Sequence, residues 1–230
     1  DPNNPTGRAL PQGAVAEIAG RARDAFVVVD EAYGEYTDPA GGVRSASALL
    51  SSTPNLVVLR TFSKAYGLAG LRVGCALFAD ERLRDAVAAQ GYNFPVSRLS
   101  IDAAVAALER LDHLERTRRR TAARSAELVA ALGALPEVTA HPTDCCILLA
   151  RHRRFGAQEL SRRLERRGVV VARIPGAGPV ARDYVRITVG DERGHRALLD
   201  AFAAVGDDDP EPVDAARADE GSWSTGLDGG

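Results

Sequence analysis

The 230-residue sequence contains no methionine, and among its 29 basic residues there is a single lysine, Lys64. Lacking an initiator and opening on a turn-rich run, the chain is expected to be a fragment or a processed piece. Cysteine is scarce. Cys145 and Cys146 are adjacent and Cys75 stands apart, a spacing that suits neither a disulfide framework nor a zinc site. They read as reduced, small packing residues, with no metal expected. No apolar run is long enough to span a bilayer, and residues 1–7 lack the charged-then-apolar order of a signal peptide. The expectation is therefore no membrane partner, no export and a cytoplasmic location. Neither sign of charge dominates: the formal net charge is −2 and the pI about 6.1, which provides no field for nucleic acid. Partners are expected to be small molecules or other chains.

What is present is a globular composition, 45% hydrophobic and 26% charged, enough for a substantial core and two modest domains. Residues 11–23 carry apolar side chains at a helical period, and 26–29 form a continuous β-rich run ending in Asp30. After a Gly41-Gly42 turn, 56–59 and 71–78 read as two further strands, so an α/β sheet covered on both faces is expected. Residues 81–89 and 97–135 read as helical, with a break over 91–95 and a bend near Asp112. The arginines from Arg116 to Arg124 read as a solvated helix face. Beyond Pro136, strands at 145–149, 169–172 and 184–189 and helices at 157–167 and 192–205 predict a smaller α+β domain. The expected division is 1–105 for a larger domain, 106–205 for a smaller one, and 206–230 for a disordered acidic tail.

Three stretches carry chemistry. Arg60-Thr61-Phe62-Ser63-Lys64, followed by Tyr66-Gly67, Gly70 and Arg72, places hydroxyls, an amine and a guanidinium in one loop after a strand. Thr61, Ser63 and Arg72 are the donors a phosphate needs, and a lysine amine can attack a carbonyl, which a guanidinium cannot. A lone lysine placed there is hard to ascribe to chance. Asp30, closing a strand ahead of Glu31-Ala32-Tyr33, lies where α/β sheets present ligand groups. A buried carboxylate there needs a partner such as a protonated ring nitrogen, although turn-forming and helix-capping acids look the same in isolation. Asp1-Pro2-Asn3-Asn4-Pro5-Thr6-Gly7 is a rigid turn that fixes side-chain amides, Asn4 among them.

Asn4-Pro5-Thr6-Gly7, Asp30-Glu31-Ala32-Tyr33 and Ser63-Lys64 with Arg72, in this order, resemble the class I/II aminotransferases of fold type I, which depend on pyridoxal 5'-phosphate. Residues 61–74 are similar to the histidinol-phosphate and aromatic amino acid aminotransferase branch. The resemblance implies a partial large domain with a mixed, mostly parallel sheet and a smaller α+β C-terminal domain. It implies that Asn4 and Tyr33 contact the cofactor's phenolate oxygen, Asp30 its ring nitrogen, and Thr61, Ser63 and Arg72 its phosphate, while Lys64 binds it covalently. It extends to Arg186, which would bind the substrate's carboxylate or phosphate, and to Arg173 as a second substrate-phosphate candidate one residue further along than the pattern expects. The implied reaction moves an amino group from histidinol phosphate or an aromatic amino acid to 2-oxoglutarate, in a homodimer when intact. The match covers residues 1 to about 205; the family's N-terminal part, with its phosphate-gripping loop and the ring stacked on the cofactor, is not in it. Alternatives on the same scaffold are a decarboxylase of the threonine-phosphate type, the aminotransferase-like domain of a transcription regulator, and an inactive fragment.

Overall fold

The computed structural model describes residues 1–37, 45–91, 96–176 and 178–207. The Gly41-Gly42 turn, most of the break at 91–95 and nearly all of the expected acidic tail lie outside these residues.

The first half is built on three strands, β1 (Val27–Asp30), β2 (Leu56–Thr61) and β3 (Gly74–Phe78), in the order β1-β2-β3. β1 and β2 are parallel with Asp30 opposite Leu59, and β3 returns antiparallel to β2. Helix α1 (Ala14–Arg21) precedes them. It stops where the Asn55 amide donates to the carbonyls of Ala19, Ala22 and Ala25, satisfying groups that a helix end leaves open. Val29, Leu56 and Val58 pack with Ala46 into one core. The other face is bare: Val28 and Phe26 are exposed, so the expected two-sided cover is missing among the described residues. The alternation of β1 explains this, since Val28 points away from the face that α1 shields.

Helices α2 (Glu81–Ala89), α3 (Arg98–Leu108) and α4 (Leu111–Gly133) follow. Asp80 and Ser97 cap the first two through side-chain acceptors. The long helical stretch breaks at Glu109 and Arg110, just ahead of the expected bend at Asp112. The 23-residue α4 spans about 35 Å. It ties the halves together: Arg118 donates to the Thr37 carbonyl, while Leu128 and Leu132 enter the second core.

The second sheet contains β4 (Val138–Ala140), β5 (Ile147–His152), β6 (Ala172–Arg173) and β7 (Val185–Thr188) in the order β4-β5-β7-β6, all antiparallel. Helices α5 (Ala157–Arg166) and α7 (Glu192–Ala204) supply Leu160, Leu164, Leu198 and Phe202 to a core shared with Leu148, Val185 and Ile187. A short α6 (Pro179–Asp183) joins β6 to β7. The run expected at 169–172 is reduced to a two-residue strand, with Val170 83% exposed, because β6 is an edge with a single partner. Cys145 and Cys146 are buried free thiols; Cys75 is exposed on β3, whose outer side is bare.

Candidate functional site

Parallel pairing brings the C-terminal ends of β1 and β2 to one sheet edge, with Asp30 at the first and Thr61 at the second. The chain then turns through Ser63 and Lys64. Ser63 N donates to Thr61 Oγ1 at 3.1 Å, which fixes the Thr61 hydroxyl against the Ser63 backbone. After a single helical turn at Ala69–Leu71, Arg72 adopts left-handed φ 49° and ψ 49°. A non-glycine residue pays for that conformation, about 1–2 kcal/mol, and such outliers gather at functional positions. Here it returns the Arg72 guanidinium toward the loop, with Nη1 3.4 Å from Ser63 Oγ and 3.1 Å from the Ala69 carbonyl. Thr61, Ser63 and Arg72 thus converge.

Lys64 is exposed, and its Nζ stands 5.5 Å from the centroid of the Tyr33 ring. Tyr33 is buried against Cys145, Cys146 and Ile147 at the start of β5. Burial, followed by the neighbouring Cys146, raises its phenol above the ordinary tyrosine value while Arg186 opposes, so it stays a hydrogen-bond donor. Burial likewise pushes the Cys146 thiol up to about 11, with Lys64 opposing, and it remains protonated at neutral pH. Asp30 is exposed at the end of β1 rather than buried, its Oδ1 accepting from Ala32 N at 2.9 Å.

The N-terminal turn docks on the second half. Asp144 N donates to the Gly7 carbonyl at 2.8 Å, and the Asp144 carboxylate accepts from Ala9 N and Arg8. Gly7 has φ 69°, and a Cβ there would collide with Thr143 Oγ1 and the Ile147 carbonyl. This seating carries Asn4 to Arg186, whose Nη1 donates to Asn4 Oδ1 at 2.9 Å. Among the described residues, the buried Arg186 Nε has no hydrogen-bond partner, a donor awaiting an acceptor. Asn4, Asp30, Tyr33, Lys64 and Arg186 are therefore linked through contacts or mutual electrostatic influence.

Arg173 is not brought to this cluster. It pairs with Val185 across the sheet while Ala172 pairs with Arg186, so the Arg173 and Arg186 side chains leave opposite faces. Arg173 lines a separate cleft of about 790 Å³ with Arg162 and Arg182. Another cavity, of about 500 Å³ between α4 and residues 142–145, is walled by Ala122, Ala126 and Val129 and includes none of the candidate residues.

Sequence reasoning assigned no role to Glu31, Glu35, Ser45 and Arg60, which form a buried polar cluster behind the Lys64 loop. Opposite charges at the ends of adjoining strands were the available signal.

The family model for aminotransferase class I and II matches residues 1–202. Over 209 residues the chain is 39% identical to histidinol-phosphate aminotransferase 1 of Bradyrhizobium diazoefficiens, covering 88% of this chain and 56% of that protein. Among solved structures it resembles L-threonine-O-3-phosphate decarboxylase from Porphyromonas gingivalis, with TM-score 0.78 and 27% identity over 90% of this chain and 63% of that one. It also resembles histidinol-phosphate aminotransferase from Sinorhizobium meliloti in complex with pyridoxal-5'-phosphate, with TM-score 0.71 and 26% identity over 89% and 55%. The chain spans about half the length of the curated relatives it matches.

Proposed function

The chain belongs to the aminotransferase class I and II family, and from that premise we propose that the whole protein is a pyridoxal 5'-phosphate-dependent aminotransferase. Its amino donor is histidinol phosphate or an aromatic amino acid and its acceptor 2-oxoglutarate; it works as a cytoplasmic homodimer. Residues 1–105 contribute to the cofactor domain and 106–205 form the smaller domain. The observation that carries this reading is a set of cations without anions. Among the described residues, Lys64, Arg72 and Arg186 make no ion pair, and Arg186 Nε is a buried donor without an acceptor. With the Thr61 and Ser63 hydroxyls alongside, these donors fit a phosphorylated cofactor and an anionic substrate.

In this reading Thr61, Ser63 and Arg72 hold the cofactor phosphate, Asp30 its ring nitrogen, Asn4 and Tyr33 its phenolate oxygen, and Lys64 anchors it covalently. When bound, the cofactor supplies a protonated ring that accepts the electron pair left when a substrate carbon loses its proton. The Lys64 amine would take that proton from the substrate's α-carbon and would deliver it to the cofactor carbon bonded to the substrate nitrogen, the shift by which an amino acid becomes a keto acid. Asp30 offsets positive charge at the ring, and Tyr33 donates through a phenol that burial keeps protonated. Arg186 orients the substrate by its carboxylate or phosphate, backed by Asn4. Arg173 lies outside this arrangement.

The test is to add pyridoxal phosphate, reduce with borohydride and locate the modified residue by mass spectrometry; a pyridoxyl group on Lys64 is expected. In the whole protein, Lys64→Ala should lower transamination at least about 10³-fold, and near-normal turnover in that variant would refute the assignment. The likeness to the threonine-phosphate decarboxylase supports a second reading, in which the same groups assist loss of carbon dioxide. Release of keto acid or of carbon dioxide from the whole protein separates the two.

A further inference from the structure

Behind the Lys64 loop, Glu31 and Glu35 are only 3% and 1% exposed. Buried carboxylates are costly unless each is paired and hydrogen-bonded. One guanidinium serves both. Arg60 Nη1 lies 3.0 Å from Glu31 Oε2, while its Nε and Nη2 lie 3.2 and 2.6 Å from Glu35 Oε1. Ser45 Oγ donates to Glu31 Oε2 at 2.7 Å and Ala46 N to Glu31 Oε1 at 2.6 Å. Glu35 Oε2 is left without a hydrogen-bond partner among the described residues.

The places of these residues in the chain matter more than their number. Glu31 follows Asp30 directly, Glu35 lies one turn beyond it just after Tyr33, and Arg60 immediately precedes Thr61 at the start of the Lys64 loop. A planar guanidinium bonds in fixed directions, so one that grips two carboxylates also sets the distance between the segments that carry them. Stability alone is a poor account of the cluster, because apolar side chains of similar volume hold two parallel strands at least as well as a buried ion group. Neighbouring strand positions Val58 and Leu56 are packed in that way.

We propose that Arg60 is a positioning residue: through Glu31 and Glu35 it sets the spacing of Asp30, Tyr33 and Lys64. The proposal deepens the reading of the Lys64 site and rests on it. Arg60 touches none of the three functional groups, and it acts through the backbone segments that bear them.

Because Lys64 is the sole lysine of the parent chain, amide-forming side-chain acylation of the cofactor-free protein reports that one position, and in Arg60→Lys, which adds a second lysine, the Lys64 product is read by fragment mass spectrometry. Arg60→Lys keeps the charge and loses the fork. Glu35→Ala removes one arm of the grip and leaves the Glu31 pair. In each variant that melts within about 4 °C of the parent, the rate of Lys64 acylation by acetic anhydride should change at least about threefold. The pyridoxal phosphate concentration needed for half-maximal borohydride trapping on Lys64 should rise about tenfold, the scale of one charge-assisted hydrogen bond. Glu35→Gln, whose Oε1 can accept the same two bonds, should restore both quantities to parent values. If Arg60→Lys does not fold, Glu35→Ala carries the test. A folded variant with parental acylation and parental trapping overturns the proposal. Should the parent itself trap no pyridoxyl group, the cofactor reading fails, while the acylation comparison still decides the role of Arg60.

Discussion

At the scale of single residues, two histidines each accept a hydrogen bond from the backbone. His152 Nδ1 takes a hydrogen bond from Arg154 N and His195 Nε2 one from Gly190 N. Burial lowers both below the usual histidine value, aided by Arg154 and Arg163 at His152 and by Arg124 at His195. The unfolded chain therefore binds these protons before the folded one does. Their contribution to stability is complete above about pH 6.5 and is lost as pH falls below it. The melting temperature should drop between pH 7.5 and pH 5.5. His152→Asn, which keeps an acceptor near Nδ1 and cannot titrate, should show a smaller drop in the same thermal scans. An unchanged drop would mean that His152 contributes nothing to it. The residues most legible in the sequence were those whose type alone speaks, above all a lone lysine between Ser63 and Ala65. Glu35 was illegible because its neighbours in the chain, Gly34 and Tyr36, say nothing of the Arg60 that meets it across the fold.

At the scale of elements, local rules account for most of what the sequence predicts. α2 begins and ends where its periodicity and the Asp80 cap place it. α5 shows a strongly one-sided pattern, with Leu160 and Leu164 inward and Arg162, Glu165 and Arg166 outward, although Arg163 is buried as well. Leu164 is fully buried in the second core, so Leu164→Ala should cost about 2–5 kcal/mol in denaturant unfolding. A loss below about 1 kcal/mol would indicate that α5 relaxes into the space. β3 shows the limit of such rules. Gly74 lies so close to β2 that a Cβ would stand 2.6 Å from the Arg60 carbonyl, a constraint that belongs to the strand pair. The apolar run 71–78 gives no hint that its first residues form a helical turn and the left-handed Arg72 instead.

At the scale of the whole molecule, apolar surface remains on the outside of the first half. Ile101, Val105 and Leu108 form a stripe along α3, and Leu99, Leu111 and Phe26 are exposed as well. The chain by itself should self-associate, with a sedimentation or light-scattering mass that rises with concentration. Val105→Glu together with Leu108→Glu should lower that mass toward 24.3 kDa. An unchanged mass in the double variant would place the contact elsewhere.

The sequence by itself determined the identity and order of the groups: the Asn4 turn, Asp30 closing a strand, Lys64 in a hydroxyl-rich loop, and Arg186 alternating against Val185 and Ile187. These follow from turn chemistry and periodicity, which act within a few residues. Tertiary structure alone decided which groups meet. Asn4 and Arg186 are 182 positions apart and touch only because Gly7 admits the turn against Thr143 and Ile147. The strand register that sets Ala172, rather than Arg173, opposite Arg186 turns the second arginine to the other face. A one-residue step reverses the direction of a strand side chain, and pairing between distant segments is where that step is fixed.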